Sequence, residues 1–157
     1  MIISYKLSLK YRKANMYKKA TSELTQALKK VNSYEDFEAL HKDDLTQTSL
    51  DQLLKHYAGQ AGLTIYNIIN TAEIDQSYGY KIFRGQHKPS RDIIIKLSIA
   101  MKLNLQNTQR LLKAGQVNEL YPRNERDAII IFAINNNMSL RQVDEILYSR
   151  KQETLVS

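Results

Sequence analysis

No cysteine occurs in the 157 residues, which excludes disulfides and thiolate metal sites. With only two prolines and five glycines, the chain has too few turn formers for a loop-rich β fold and too little low-complexity character for a disordered one. No apolar run reaches the roughly 18 residues that a membrane span needs. The longest, Ala128 to Ile134, is of core length. The opening residues MIISYKLSLKYRK are basic but have neither a continuous apolar region nor a small-residue cleavage site, so a secretory signal is not expected and the default location is the cytoplasm. A Gly-rich phosphate loop, a G-x-S-x-G elbow and a paired His-Asp constellation are also missing, so catalysis has no visible machinery. His41, His56 and His87 are scattered without a carboxylate at metal-ligand spacing, and neither a metal nor a cofactor is expected.

An apolar fraction of 43% suffices for a core in a chain of one-domain length. The net charge of +7 is segregated along the sequence. Residues 1–31 hold 8 Lys/Arg and 1 acid, and residues 32–75 hold 2 Lys/Arg and 8 acids. Residues 76–113 hold 8 Lys/Arg and 1 acid, and residues 114–157 hold 5 Lys/Arg and 6 acids. The basic block 76–113 suits a polyanionic partner; the plainer alternative is a solvated surface that happens to be basic.

Apolar positions recur at helical spacing almost throughout. Tyr17, Ala20, Leu24, Ala27, Leu28 and Val31 form one stripe, followed by an acidic segment, Tyr34 to Asp44, with room for a short helix. Leu50, Leu53, Leu54, Tyr57, Ala58 and Ala61 form the cleanest stripe, with Ser49 as N-cap and Gly62 at C′. Thr64 caps a helix carrying Ile65, Ile68, Ile69 and Ala72, and Leu63 can staple to Ile68. After the turn Glu73-Ile74, Asp75 caps a helix running to about Phe83, with Gly85 supplying the positive φ beyond its end. Ser90 and Asn104 cap two further helices. A terminal helical hairpin follows, with Asn135-Asn136-Asn137 as its turn and Ser139 with Gln142 as a capping box. Gly62-Leu63-Thr64 and Asn137-Met138-Ser139 open their helices alike. The expected divisions are 1–48, a basic arm, helix and acidic linker; 49–115, a helix-turn-helix domain; and 116–157, the hairpin. The basic arm is either a groove-following segment or a tail that precedes a start at Met16.

From Leu50 to Leu112 the residues resemble, without gaps, the phage-repressor/Cro type of helix-turn-helix regulators, the XRE family. The resemblance rests on Gly62-Leu63-Thr64, Ile74 in the turn, Ile82, Arg84-Gly85, Lys88-Pro89-Ser90 and the pattern Ile94, Ile95, Leu97, Ser98, Met101, Leu103, Leu105. It implies an all-α chain: a lambda-repressor-like five-helix DNA-binding domain with an N-terminal helical extension and a C-terminal helical hairpin. It also implies a bacterial transcriptional regulator that binds double-stranded DNA and works as a homodimer on two half-sites about one helical turn apart. The chain departs from the family at Ile65, where a phosphate-anchoring Gln is usual, and at Ile69, Glu73 and Gly79. A bulky Ile69 filling the hollow left by Gly79 would reconcile two of these departures, and one of the neighbouring tyrosines is a further candidate for that space.

The resemblance assigns base reading to Gln76, Ser77 and Lys81. Gln pairs bidentately with adenine N6/N7, and Lys donates to guanine O6/N7. Thr64, Tyr78, Tyr80, Arg84, His87, Lys88 and Arg91 are left to the DNA backbone or to packing. Five phosphate contacts would give a slope of about −4.5 for log binding constant against log salt. The rival class is a protein-interaction module on the same fold, antitoxin-like or regulatory, with Tyr78 and Tyr80 as interface anchors.

Overall fold

Capping chemistry decides where the helices begin and end. The computed structural model describes residues 21–45 and 48–156, and among these every regular element is a helix. The chain divides into two compact units, 1–47 and 48–157. The N-terminal arm, with Tyr17 and Ala20 of the first stripe, lies outside the described residues.

In the first unit, α1 (Thr21–Lys30) contacts α2 (Tyr34–Leu45). Helix α1 has no buried residue, and its Leu28 is 49% exposed, so the expected apolar stripe is not buried over its described part. Helix α2 kinks at His41, whose ring lies 4.8 Å from that of buried Phe37.

The second unit holds α3 (Leu50–Ala61), α4 (Ile65–Thr71), α5 (Gln76–Phe83), α6 (Arg91–Ala100), α7 (Leu105–Ala114), α8 (Glu125–Asn135) and α9 (Leu140–Ser149). Thr64, Asp75, Ser90, Asn104, Asn124 and Ser139 each accept a hydrogen bond from a backbone N–H in the first turn of the helix they cap. Ser139 and Gln142 close a full capping box. Ser49 occupies the cap position of α3 but its side chain makes no capping bond.

All seven helices of this unit end in the same way. Gly62, Glu73, Gly85, Lys102, Gln116, Asn137 and Lys151 all have φ between +51° and +72°. The residue after each donates its N–H to a carbonyl five positions back, at 2.9–3.2 Å. These are Schellman closures, which return orphan C-terminal carbonyls to backbone donors. In four of them the left-handed residue is followed by an apolar residue and then by the next N-cap: Gly62-Leu63-Thr64, Glu73-Ile74-Asp75, Lys102-Leu103-Asn104 and Asn137-Met138-Ser139. The likeness visible in two tripeptides is therefore one chain-reversal device used four times. Gly115 serves another purpose. Its φ is ordinary, and a Cβ there would run into the Ile94 side chain.

One apolar core joins all of these helices. Leu54, Ile68, Ile69, Ile82, Ile94, Leu111 and Ile130 are each 0–1% exposed. Helix α6 is the axis of the unit and touches α4, α7 and α9. Seven consecutive residues, Ile94 to Ala100, are buried on it. The terminal hairpin α8–α9 shares this core, so it packs in the same unit as α3–α7.

Two crossed ion pairs fasten the hairpin. Arg91-Asp92 opens α6, and Arg126-Asp127 stands in the first turn of α8. Arg91 grips Asp127 with two bonds of 3.0 and 2.7 Å, and Arg126 grips Asp92 with two of 3.0 and 2.9 Å. Arg91 also donates to the Asn118 and Glu119 carbonyls, and Arg126 to that of Glu153. Burial pushes the Asp127 carboxyl upward. The Arg91 bond, the Tyr121 N–H and the charges of Arg91 and Arg126 outweigh burial and hold it below the usual carboxylate range. The bond to Asp92 holds Arg126 more firmly protonated than an ordinary guanidinium, against the opposing effect of burial.

Candidate nucleic-acid interface

Helix α5 owes its position to the residues on its inner side. Gly79, Ile82 and Phe83 are buried, and α5 packs on α3 and α4. A Cβ built on Gly79 would lie 2.7–2.8 Å from three carbons of the Ile69 side chain, so Ile69 occupies the space that the glycine leaves. Neither tyrosine fills that hollow. Both Tyr78 and Tyr80 are half-buried against the edge of the core.

The turn before α5 needs a left-handed residue, and Glu73 supplies it at φ 52°. Asp75 then accepts from the Tyr78 N–H at 3.0 Å, and its carboxylate stands at the positive end of the helix.

Gln76, Ser77 and Lys81 are all exposed. Ser77, Lys81 and Arg84 follow one another at i, i+4 and i+7, which sets them in one stripe directly opposite the buried side. The sequence reading had assigned Arg84 only to the flank. Gln76 is exposed in the first turn, but at three residues before Gly79 and seven before Phe83 it stands nearer the buried side than that stripe.

The two tyrosines order the flank. The Arg84 guanidinium carbon sits 5.8 Å from the centre of the Tyr80 ring, within cation–π range. Tyr78 and His87 have ring centres 5.2 Å apart at a tilt of 51°. Lys88 donates to the Gln116 side chain at 3.1 Å and remains exposed. Thr64 accepts from the Asn67 N–H at 3.1 Å as the cap of α4. Exposed Tyr66, Asn67 and Asn70 on α4 add polar and aromatic surface that the sequence pattern did not single out.

Arg91 stands apart from the other flank residues. With both ends of its guanidinium bound to Asp127 and two carbonyls occupied, it braces the hairpin and is not available to hold a phosphate. Its position beside a basic loop suggested a phosphate ligand because its acid partner lies 36 residues away in sequence. Asp92, the one acid of the basic block, is likewise bound to Arg126.

Among the described residues no group of three or more His, Asp or Glu side chains is placed to hold a metal ion, and no helix is long and apolar enough to cross a membrane. Comparison with known proteins returns no matching family model, no matching curated protein and no matching solved structure.

Proposed function

We propose that this chain is a DNA-binding regulator of the helix-turn-helix kind and that α3–α7 form a phage-repressor/Cro-like domain. In this reading α5 enters the major groove of duplex DNA, and the chain acts by occupying a site rather than by catalysis. The observation that carries the proposal is the two-sided character of α5. Its inner side is locked by Ile69 against Gly79, while its outer side offers Ser77, Lys81 and Arg84 to solvent and its first turn leaves Gln76 exposed.

The chemistry follows from the groove. Gln76 can pair with an adenine edge and Lys81 with a guanine edge, each pairing discriminating by about 1–3 kcal/mol. Ser77 accepts or donates to whichever base it meets. Arg84, His87 and Lys88 lie beyond the reading residues and meet phosphates, which fix register but carry no sequence information. With Arg91 withdrawn, Arg84, His87 and Lys88 leave three phosphate contacts at most, and the expected salt slope is no steeper than about −2.7.

The protein-interaction reading drew on Tyr78 and Tyr80 as anchors. Both are half-buried on their own core and engaged with His87 and Arg84, which favours DNA. Selection of bound sequences from random duplex DNA, followed by titration of the enriched site, tests the proposal. Gln76→Ala and Lys81→Ala are each expected to weaken binding about 10- to 100-fold. A chain with no duplex affinity at low salt would count against it and in favour of a protein partner.

A further inference from the structure

Most of the 8 Lys/Arg in the basic block 76–113 already have a place. Lys81 stands on the outward stripe of α5, and Arg84 and Lys88 belong to its flank. Arg91 is bound to Asp127, Lys96 is buried, and Lys102 donates to the Asn137 carbonyl at 3.1 Å. Arg110 and Lys113 of α7 remain. Both are exposed, and among the described residues neither pairs with an acid.

Helix α7 has the same two-sided build as α5. Thr108, Leu111, Leu112 and Gly115 are buried, while Gln106, Arg110 and Lys113 follow at i, i+4 and i+7 on the opposite side. From Ile93 to Asn118 the chain has no acid, and the run ends at Glu119, beyond the turn that closes α7. Two contacts hold that turn in place. Gly115 lets it close on Ile94, and the Gln116 side chain accepts from Lys88 at 3.1 Å. Gln116 also donates its N–H to the Lys113 carbonyl at 3.0 Å. The basic stripe of α7 therefore begins within one helical turn of the residue that Lys88 touches.

We propose that Arg110 and Lys113 form a second phosphate-contacting surface, which continues the backbone contact of the α5 flank along the same duplex. This deepens the DNA reading and rests on it. The partner follows from charge: a helix face with two cations and no acid fits a polyanion. The spacing fits as well. Three residues of α-helix set Arg110 and Lys113 about 4.5 Å apart along the axis, and successive phosphates of one strand are about 3.4 Å apart along the duplex axis. Two long side chains absorb that difference. Contacts of this kind strengthen binding to every sequence and add no discrimination.

Salt dependence separates the two surfaces. The α5 flank alone allows a slope no steeper than about −2.7, and two further contacts take it to about −4.5 per chain. Fluorescence anisotropy of the full chain on an enriched and on an unrelated duplex, from about 50 to about 200 mM salt, reads slope and discrimination together. Arg110→Ala and Lys113→Ala should each flatten the slope by about 0.9 and weaken both duplexes alike, about three- to tenfold near 100 mM salt. The double variant should fall back to about −2.7 with its preference for the enriched duplex intact. Both positions face solvent and alanine favours helix, so the circular dichroism spectrum should be kept. Arg150→Ala, which removes the same charge outside the stripe, should leave the slope unchanged. A slope indifferent to Arg110→Ala and Lys113→Ala overturns the proposal, and so does an equal flattening by Arg150→Ala. If Gln76→Ala and Lys81→Ala still weaken binding in either case, the DNA reading stands and only the α7 surface falls. A chain without duplex affinity at low salt overturns both.

Discussion

Replacing Gly79 by alanine tests whether α4 and α5 are fitted to each other. The added Cβ would sit 2.7–2.8 Å from Ile69 Cγ1, Cδ1 and Cγ2, closer than real side chains approach. Overpacking of this kind costs about 1–3 kcal/mol. Removing a glycine from a helix interior returns about 1 kcal/mol. Gly79→Ala alone should therefore destabilise by about 0–2 kcal/mol. Ile69→Ala alone, at a fully buried site, should cost about 2–5 kcal/mol. In the double variant the three colliding carbons are gone, the new methyl enters the vacated space, and the helical gain at position 79 stands unopposed. The double variant should accordingly be more stable than the sum of the single changes by about 1–3 kcal/mol. Urea unfolding followed by far-UV circular dichroism on the four proteins supplies the cycle. If Gly79→Ala has the same effect in both backgrounds, within about 0.5 kcal/mol, the fitted pair is refuted.

Three further outcomes are expected. Asp127→Asn leaves Arg91 partly buried without its counter-charge and should cost about 2–3 kcal/mol at neutral pH, less than a fully buried pair because the Arg91 side chain is 25% exposed; urea midpoints check this. Because the Asp127 carboxyl is held below its ordinary value, its contribution is fully present above the unfolded-state value of about 3.9 and is lost as pH falls through the lower folded value. The stability difference between wild type and Asp127→Asn should thus shrink in acid, and a difference independent of pH down to strong acid would contradict it. Glu73→Gly and Lys102→Gly relieve left-handed strain of about 1–2 kcal/mol, offset by the glycine's greater freedom when unfolded, so each should stabilise by about 0.5–1 kcal/mol in thermal melts.

The helix starts were legible because capping is local: Thr64, Asp75, Ser90, Asn104 and Ser139 announce themselves within three residues of the amides they bind. The left-handed ends were legible only where glycine marks them, at Gly62 and Gly85. Glu73, Lys102, Gln116 and Lys151 take the same conformation with ordinary side chains, because the Schellman bonds and the packing of the following residue outweigh their preference. The Ile69–Gly79 fit was readable as two departures from one family pattern, and the structure brings the two residues together. The crossed ion pairs were not readable. Their partners stand 34 and 36 residues apart, and nothing local distinguishes a bracing arginine from a phosphate ligand. Arg91 was left between the DNA backbone and packing for that reason, and the C-terminal hairpin was given a division of its own because the bonds that fasten it are distant in sequence.

The most direct test of the central claim is fluorescence anisotropy of the full chain on a duplex enriched from a random pool, with Gln76→Ala and Lys81→Ala titrated beside it. The account predicts salt-sensitive binding that falls about 10- to 100-fold with either substitution, while an unrelated duplex binds both variants and wild type with similar, weaker affinity. Binding unchanged by both substitutions, or no enriched sequence at all, would contradict it.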